Sequence, residues 1–86
     1  MSTVWYVYLL RCSDNSLYAG ITTDINRRLD EHNHCNKKAA KYTRARRPVN
    51  LAYLEEADSK QTASQREYQL KQLPKHKKEQ LARSHS

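Results

Sequence analysis

Glycine occurs once in these 86 residues and proline twice, so the chain has no room for a long flexible linker. Cysteine occurs twice, as Cys12 and Cys35, without the paired spacing of a zinc site or a redox motif. A disulfide between them needs an oxidising compartment, so two free thiols in a cytoplasmic protein are the expectation. No run approaches the roughly 18 consecutive apolar residues of a membrane helix, and no membrane partner is expected. Met1 to Leu10 carries neither a charged leader nor a small-residue cleavage site, and it does not read as a secretory signal. Repeats and low-complexity segments are missing too. A single domain over residues 1–86 is expected, with its core at about 4–82 and a frayed tail from Arg83 to Ser86. At this length only about 60–65% of the unfolded surface is buried, so stability is marginal.

Acidic residues are also scarce. Sixteen Lys/Arg face nine Asp/Glu, for a net charge of +7. Between Arg27 and Arg47 stand eight basic residues and two acids, and between Lys71 and Arg83 five and one. Such surfaces attract polyanions, with phosphate backbones the usual partner, although a basic face also serves solubility alone.

Hydrophobic patterning gives the order β-β-α-β-α-α. Val4 to Cys12 is apolar on both alternating sets, as in a central strand covered on both faces. Ser13 to Ser16 is turn chemistry, and Leu17 to Ile21 resumes as the second strand of a hairpin. Thr22, Thr23 or Asp24 caps a helix to His34. A cationic loop follows, with one helical turn at Ala39-Ala40, and Val49 to Glu55 is a third strand. Asp58 or Ser59 caps a second helix to Leu73, with Asp58 and Gln61 suited to a capping box. Pro74 then takes the first position of a short last helix to Ala82. The fold class is α+β: a small three-stranded, mainly antiparallel sheet flanked by helices.

Polar residues break this pattern in five places. With Ile25 at 0° and about 100° per residue, Leu29 falls at about 40°, His32 at about −20° and Arg28 at about −60°. Arg27, Asp30 and Glu31 fall outward. On the second helix, Ala63 at 0° puts Leu70 at about −20° and Glu67 at about 40°, so a carboxylate stands in the apolar stripe. It needs a cation, hydrogen bonds or a metal. A structural pair with Arg28 is one solution. A divalent metal is the other, and one carboxylate with water ligands suits Mg²⁺. If Cys12 lies opposite Ser16, Leu10 faces Tyr18 and Tyr8 faces Gly20, so both phenols share a face. A slip of one residue would separate them. His32 as an ordinary boundary histidine, and the tyrosines as packing residues, remain the simpler alternatives at each position.

Taken in order, Tyr6-Val7-Tyr8, Tyr18-Ala19-Gly20, Arg28-x-x-x-His32, Tyr42-Thr43-Arg44 and a helical Glu67 resemble the signature of the GIY-YIG nuclease superfamily. The likeness runs from Val4 to Leu81 and is greatest for the small stand-alone bacterial members, the YhbQ-like group. Tyr6 stands where the family has Gly, and Ala19 where it has Ile. The resemblance implies a β-β-α-β-α core and Mg²⁺-dependent (or Mn²⁺-dependent) cleavage of DNA, as in DNA repair or processing. It implies roles for Tyr8, Tyr18, Arg28, His32 and the metal ligand Glu67. Lys37, Lys38, Lys41, Tyr42, Arg44, Arg46 and Arg47 are the candidates for holding nucleic acid, with a protein partner as a further source of specificity. Two alternatives stay open: a non-catalytic nucleic-acid-binding module on the same fold, and an adaptor whose basic face binds an acidic protein.

Overall fold

The computed structural model describes residues 3–85, without the side chain of His85; Met1, Ser2 and Ser86 lie outside the described residues. Its elements are β1 (Trp5–Arg11), β2 (Leu17–Thr22), α1 (Ile25–His34), α2 (Lys41–Arg44), β3 (Asn50–Ala57), α3 (Lys60–Gln72) and α4 (Lys75–His85). The strands form one antiparallel sheet in the order β2-β1-β3. Its α+β class is the one the sequence predicted.

The double-sided apolar pattern of β1 has a direct cause. Val7 and Leu9 point to one face and join Ala19, Ala63 and Leu70 beneath α3, with Leu81 of α4 packed alongside. Tyr8 and Leu10 point to the other, where they join Cys12 and Val49 with Ile25 and Leu29 of α1 against them. Three layers result, with β1 buried between them. Truncating one fully buried residue such as Leu70 to alanine costs about 2–5 kcal/mol. Arg11, at the end of β1, is tied to Glu79 of α4 through both terminal guanidinium nitrogens. Both cysteines are free. Among the described residues no helix is long and apolar enough to cross a membrane.

Element ends differ from expectation in five places, each for a local reason. β3 extends to Ala57 because Glu56 and Ala57 continue the ladder opposite Tyr6 and Trp5. The turn expected at Ala39-Ala40 forms at Lys41–Arg44, since Ala40 is still extended and caps it. The capping pair of α3 is Ser59 with Thr62, whose N–H donates to Ser59 Oγ at 3.2 Å, rather than Asp58 with Gln61. Pro74 is the cap of α4 and not its first residue: its carbonyl accepts from the N–H groups of Lys77 at 3.0 Å and Lys78 at 3.2 Å. The stretch expected to fray stays helical to His85, where Ser84 Oγ donates to the Leu81 carbonyl at 3.0 Å.

Candidate active site

Strand register builds the first half of the site. Tyr8 pairs with Gly20 and Leu10 with Tyr18, the predicted register, so both phenols stand on the face covered by α1. Gly20 has no positive φ, and Tyr6, in the place of the family glycine, has none either. Space, not backbone freedom, calls for Gly20. A Cβ there would overlap the phenol oxygen and Cζ of Tyr8 and approach Cε1 to 2.9 Å. The Tyr8 ring therefore lies across the backbone of its cross-strand partner.

Helix α1 supplies the next groups. Asp24 caps it, its side chain accepting from the Arg27 N–H at 3.1 Å, and Ile25 and Leu29 face the sheet. One turn on, His32 is completely buried. Its Nε2 lies 3.0 Å from the Tyr8 hydroxyl and its Nδ1 2.8 Å from Thr43 Oγ1. Thr43, also buried, donates its hydroxyl to the Ala40 carbonyl at 2.9 Å. The Tyr8 and Tyr18 rings meet the imidazole edge-on, with centroids 6.1 and 5.7 Å away.

The two adjacent arginines separate as the helical faces require: the Arg27 side chain is 59% exposed and that of Arg28 24%. Arg28 Nη1 donates to Glu31 Oε1 at 3.0 Å and to the Lys38 carbonyl at 2.7 Å. Glu31, expected to face solvent, is instead only 15% exposed, because Arg27 and Lys38 also approach it at 3.8 Å. On α3, Glu67 lies between buried Ala63 and Leu70, with its side chain 24% exposed. Its ion pair among the described residues is Lys71 at 3.8 Å. The alternative Glu67–Arg28 pair is not formed.

Charge converges on the two phenols. Burial pushes Tyr8 up to about 12 against the pull of Arg28, and the charge of Glu67 raises it further. Burial and Glu67 also raise Tyr18. Burial first, then the charge of Arg28, brings His32 down to about 4. At neutral pH Tyr8 is protonated and His32 is neutral.

In the cationic loop, Tyr42 stacks on Tyr18 with centroids 5.6 Å apart, and the Arg46 guanidinium lies 3.9 Å above the Tyr42 ring. Arg46 is anchored to Asp14 of the hairpin turn at 2.9 Å. Lys37, Lys38, Lys41 and Arg44 are exposed. Arg47, grouped with them on charge, turns inward. Its Nε donates to the His32 carbonyl at 2.7 Å, its Nη1 to Asn36 Oδ1 at 2.9 Å, and its Nη2 is buried without a partner.

Three supporting residues escaped the sequence patterning. Asn33 holds β3 to α1, donating to the Val49 carbonyl at 2.9 Å and accepting from the Val49 N–H at 2.8 Å. Glu31 anchors Arg28, and Thr43 anchors His32. Thr43 sits among cations in a segment with no period, so nothing assigned it a face.

The pattern of the GIY-YIG catalytic domain matches residues 4–80 of this chain. The chain belongs to the GIY-YIG family. Among its relatives, the UPF0213 protein of Bacillus velezensis is 55% identical over 87% of this chain and 74% of its own length. That of Desulfotalea psychrophila is 49% identical over 93% of this chain and 72% of its own. The archaeal UPF0213 protein of Haloquadratum walsbyi is 48% identical over 95% and 90%. The solution NMR structure of a UPF0213 protein from Bacillus halodurans superposes with a TM-score of 0.56 at 46% identity, covering 91% of this chain and 81% of that one.

GIY-YIG nucleases generally use divalent metal ions. Among the described residues no three His, Cys, Asp or Glu side chains gather as a metal cage. The donors present are one partly exposed carboxylate, Glu67, and phenol oxygens. This set suits a hard cation that keeps most of its water, such as Mg²⁺ or Mn²⁺, and is too poor for zinc.

Proposed function

We propose that this chain is a metal-dependent nuclease that hydrolyses DNA phosphodiester bonds, acting in the cytoplasm as one domain in DNA repair or processing. One observation carries the reading: the buried Tyr8 phenol is bonded to His32 and lies within electrostatic reach of Arg28, Tyr18 and Glu67. These five side chains come from two strands and two helices, and packing alone does not require their polar ends to converge.

The roles follow from position. Arg28, held by Glu31 and the Lys38 carbonyl, neutralises charge gathering on the non-bridging phosphate oxygens. Tyr18, stiffened by stacking on Tyr42, hydrogen-bonds the phosphate. Tyr8 orients the attacking water and takes its proton. A phenol at about 12 is a poor base at neutral pH, so Tyr8 must give up its own proton as it accepts one. His32 is the neighbour that can take it. Glu67 holds the Mg²⁺ or Mn²⁺, which when bound polarises the phosphate and stabilises the leaving oxygen. Lys37, Lys38, Lys41 and Arg44 track the backbone and contribute affinity with little sequence reading. Selectivity then rests on DNA shape or a protein partner.

The test is a panel of labelled duplex, single-stranded and branched DNAs incubated with Mg²⁺ or Mn²⁺. Glu67→Gln should remove metal-dependent cleavage while leaving thermal stability and DNA affinity unchanged. Undiminished cleavage by that variant refutes the metal assignment. Binding without cleavage by the wild-type chain under every metal refutes the nuclease reading.

A further inference from the structure

The hydrogen-bond chain behind Tyr8 is longer than the reaction above needs. It runs from the Tyr8 hydroxyl through both ring nitrogens of His32 to Thr43 Oγ1 and on to the Ala40 carbonyl. A carbonyl only accepts and a threonine hydroxyl carries one proton, so the far end sets the direction of the chain. With its proton on Ala40, Thr43 receives a hydrogen bond from His32 Nδ1–H. In a neutral imidazole, Nε2 is then a bare lone pair.

The near end gives the same answer independently. Tyr8 is buried; Arg28 beside it only donates, and Tyr18 and Glu67 act on it through charge without a hydrogen bond. Among the described residues, His32 is the hydrogen-bond partner of the Tyr8 hydroxyl that can accept. The phenol proton therefore has one acceptor, His32 Nε2. The opposite tautomer would aim an Nε2–H at Tyr8 and leave the buried phenol proton without an acceptor, a loss of about 1–3 kcal/mol. Both ends select one arrangement.

We propose that Thr43 is a positioning residue that fixes His32 in the Nδ1–H tautomer, so that Nε2 accepts the Tyr8 phenol proton. The inference rests on the reading of Tyr8 as the group that takes a proton from water. In the reaction, the water oxygen bonds to phosphorus as its proton passes to the Tyr8 oxygen. The original Tyr8 proton moves to Nε2, and the bond from phosphorus to the leaving oxygen breaks, its electron pair staying on that oxygen, which takes a proton from solvent. The resulting imidazolium keeps Nδ1–H on Thr43, whose own proton stays on Ala40. Release of the Nε2 proton through Tyr8 to solvent restores the starting state. Thr43 touches neither water nor phosphate; it decides which nitrogen faces the phenol.

Nitrogen-15 NMR of the full chain at neutral pH tests this without substrate. In the wild type, His32 Nδ1 should resonate as a protonated pyrrole-like nitrogen and Nε2 as an unprotonated pyridine-like one. Thr43→Val removes the hydroxyl at nearly constant shape and should populate the Nε2–H tautomer. It should lower kcat on Mg²⁺-supported cleavage about 10- to 100-fold, with KM within about twofold. Thr43→Ser should restore both the tautomer and the rate. A wild-type Nε2–H tautomer overturns the proposal even if the chain cleaves DNA, and so does a Thr43→Val protein that keeps the Nδ1–H form. Should Thr43→Val fail to fold, the wild-type spectrum alone decides. The assigned tautomer with no cleavage of any DNA defeats the nuclease reading and leaves the tautomer assignment standing.

Discussion

Substituting Gly20 by alanine tests whether space for Tyr8 is the reason for the chain's lone glycine. In an unobstructed strand the change should stabilise by about 0.5–1 kcal/mol, because glycine loses more backbone freedom on folding. Here the new methyl overlaps the Tyr8 phenol oxygen and Cζ. Ordinary contacts sit at about 3.5–4.0 Å, so the ring must retreat on the order of 1 Å. Over-packing of this kind costs about 1–3 kcal/mol. Drawing the phenol away from His32 leaves buried polar groups unpaired, at about 1–3 kcal/mol more. Set against the backbone gain, the expected loss is about 1–5 kcal/mol, from a domain whose stability is about 5–15.

Urea unfolding followed by the fluorescence of Trp5, the single tryptophan, measures that loss. A displacement of 1 Å at the reacting group should also lower cleavage about 10²-fold. The decisive control is the same substitution in a Tyr8→Leu background, where the phenol atoms are gone. There Gly20→Ala should be neutral or slightly stabilising, which gives a coupling energy of about 1–6 kcal/mol, the difference between the two backgrounds. Equal costs in the two backgrounds, or an unaltered single variant, would refute the claim that Gly20 exists to admit the Tyr8 ring.

Arg28→Ala should lower cleavage about 10²–10³-fold, whereas Arg27→Ala should leave it intact and change stability by less than about 0.5 kcal/mol; rate assays and thermal melts separate the two, and equal losses reject the helical-face argument. With four exposed loop cations, DNA affinity should fall about 10²-fold between 50 and 200 mM salt, as measured by fluorescence anisotropy, and a flat response removes the phosphate contacts. Acid should destabilise the fold through His32, because its pKa is about 4 folded against 6.5 in the reference state. The unfolded chain therefore binds a proton first, and stability is full above 6.5 and lost as pH falls towards 4. That amounts to about 2 kcal/mol between pH 7 and 5 and about 3 kcal/mol in full. Urea titrations of wild type and His32→Asn should show this slope between pH 7 and 5 in the first and not in the second, the carboxylates lowered by their ion pairs adding a slope to both at more acid pH.

Much of this was legible in the sequence, because period and register act over short distances. The alternation of β1 gave both faces of the sheet, and a turn of fixed length between Cys12 and Ser16 fixed Tyr8 against Gly20. Helical spacing placed His32 inside and split Arg27 from Arg28. Two kinds of residue did not follow from spacing. Glu31 falls outward on a wheel, yet three cations from α1 and the loop draw it in, and a wheel contains no loop. Thr43 and Arg47 belong to a segment without period, where the fold is set by bonds to His32 that exist only once α1 has docked. Charge alone therefore grouped Arg47 with residues that face solvent.

The site's electrostatics make its chemistry conditional on substrate. With Tyr8 pushed up to about 12 and His32 down to about 4, moving the phenol proton to the imidazole in the free protein is unfavourable. One cause of this gap, the charge of Arg28 acting on His32, is the one a bound phosphodiester offsets. Burial disfavours both charged forms, and Arg28 opposes a second cation on His32. A phosphate anion engaged by Arg28 offsets that cation, so the imidazolium is less costly and His32 becomes the better acceptor. Thr43 and Gly20 contribute at the same point from opposite sides. One fixes the lone pair that faces the phenol; the other leaves the phenol room to reach it. Such an arrangement holds both proton carriers neutral until a phosphate arrives, so these groups do not activate water in the free protein.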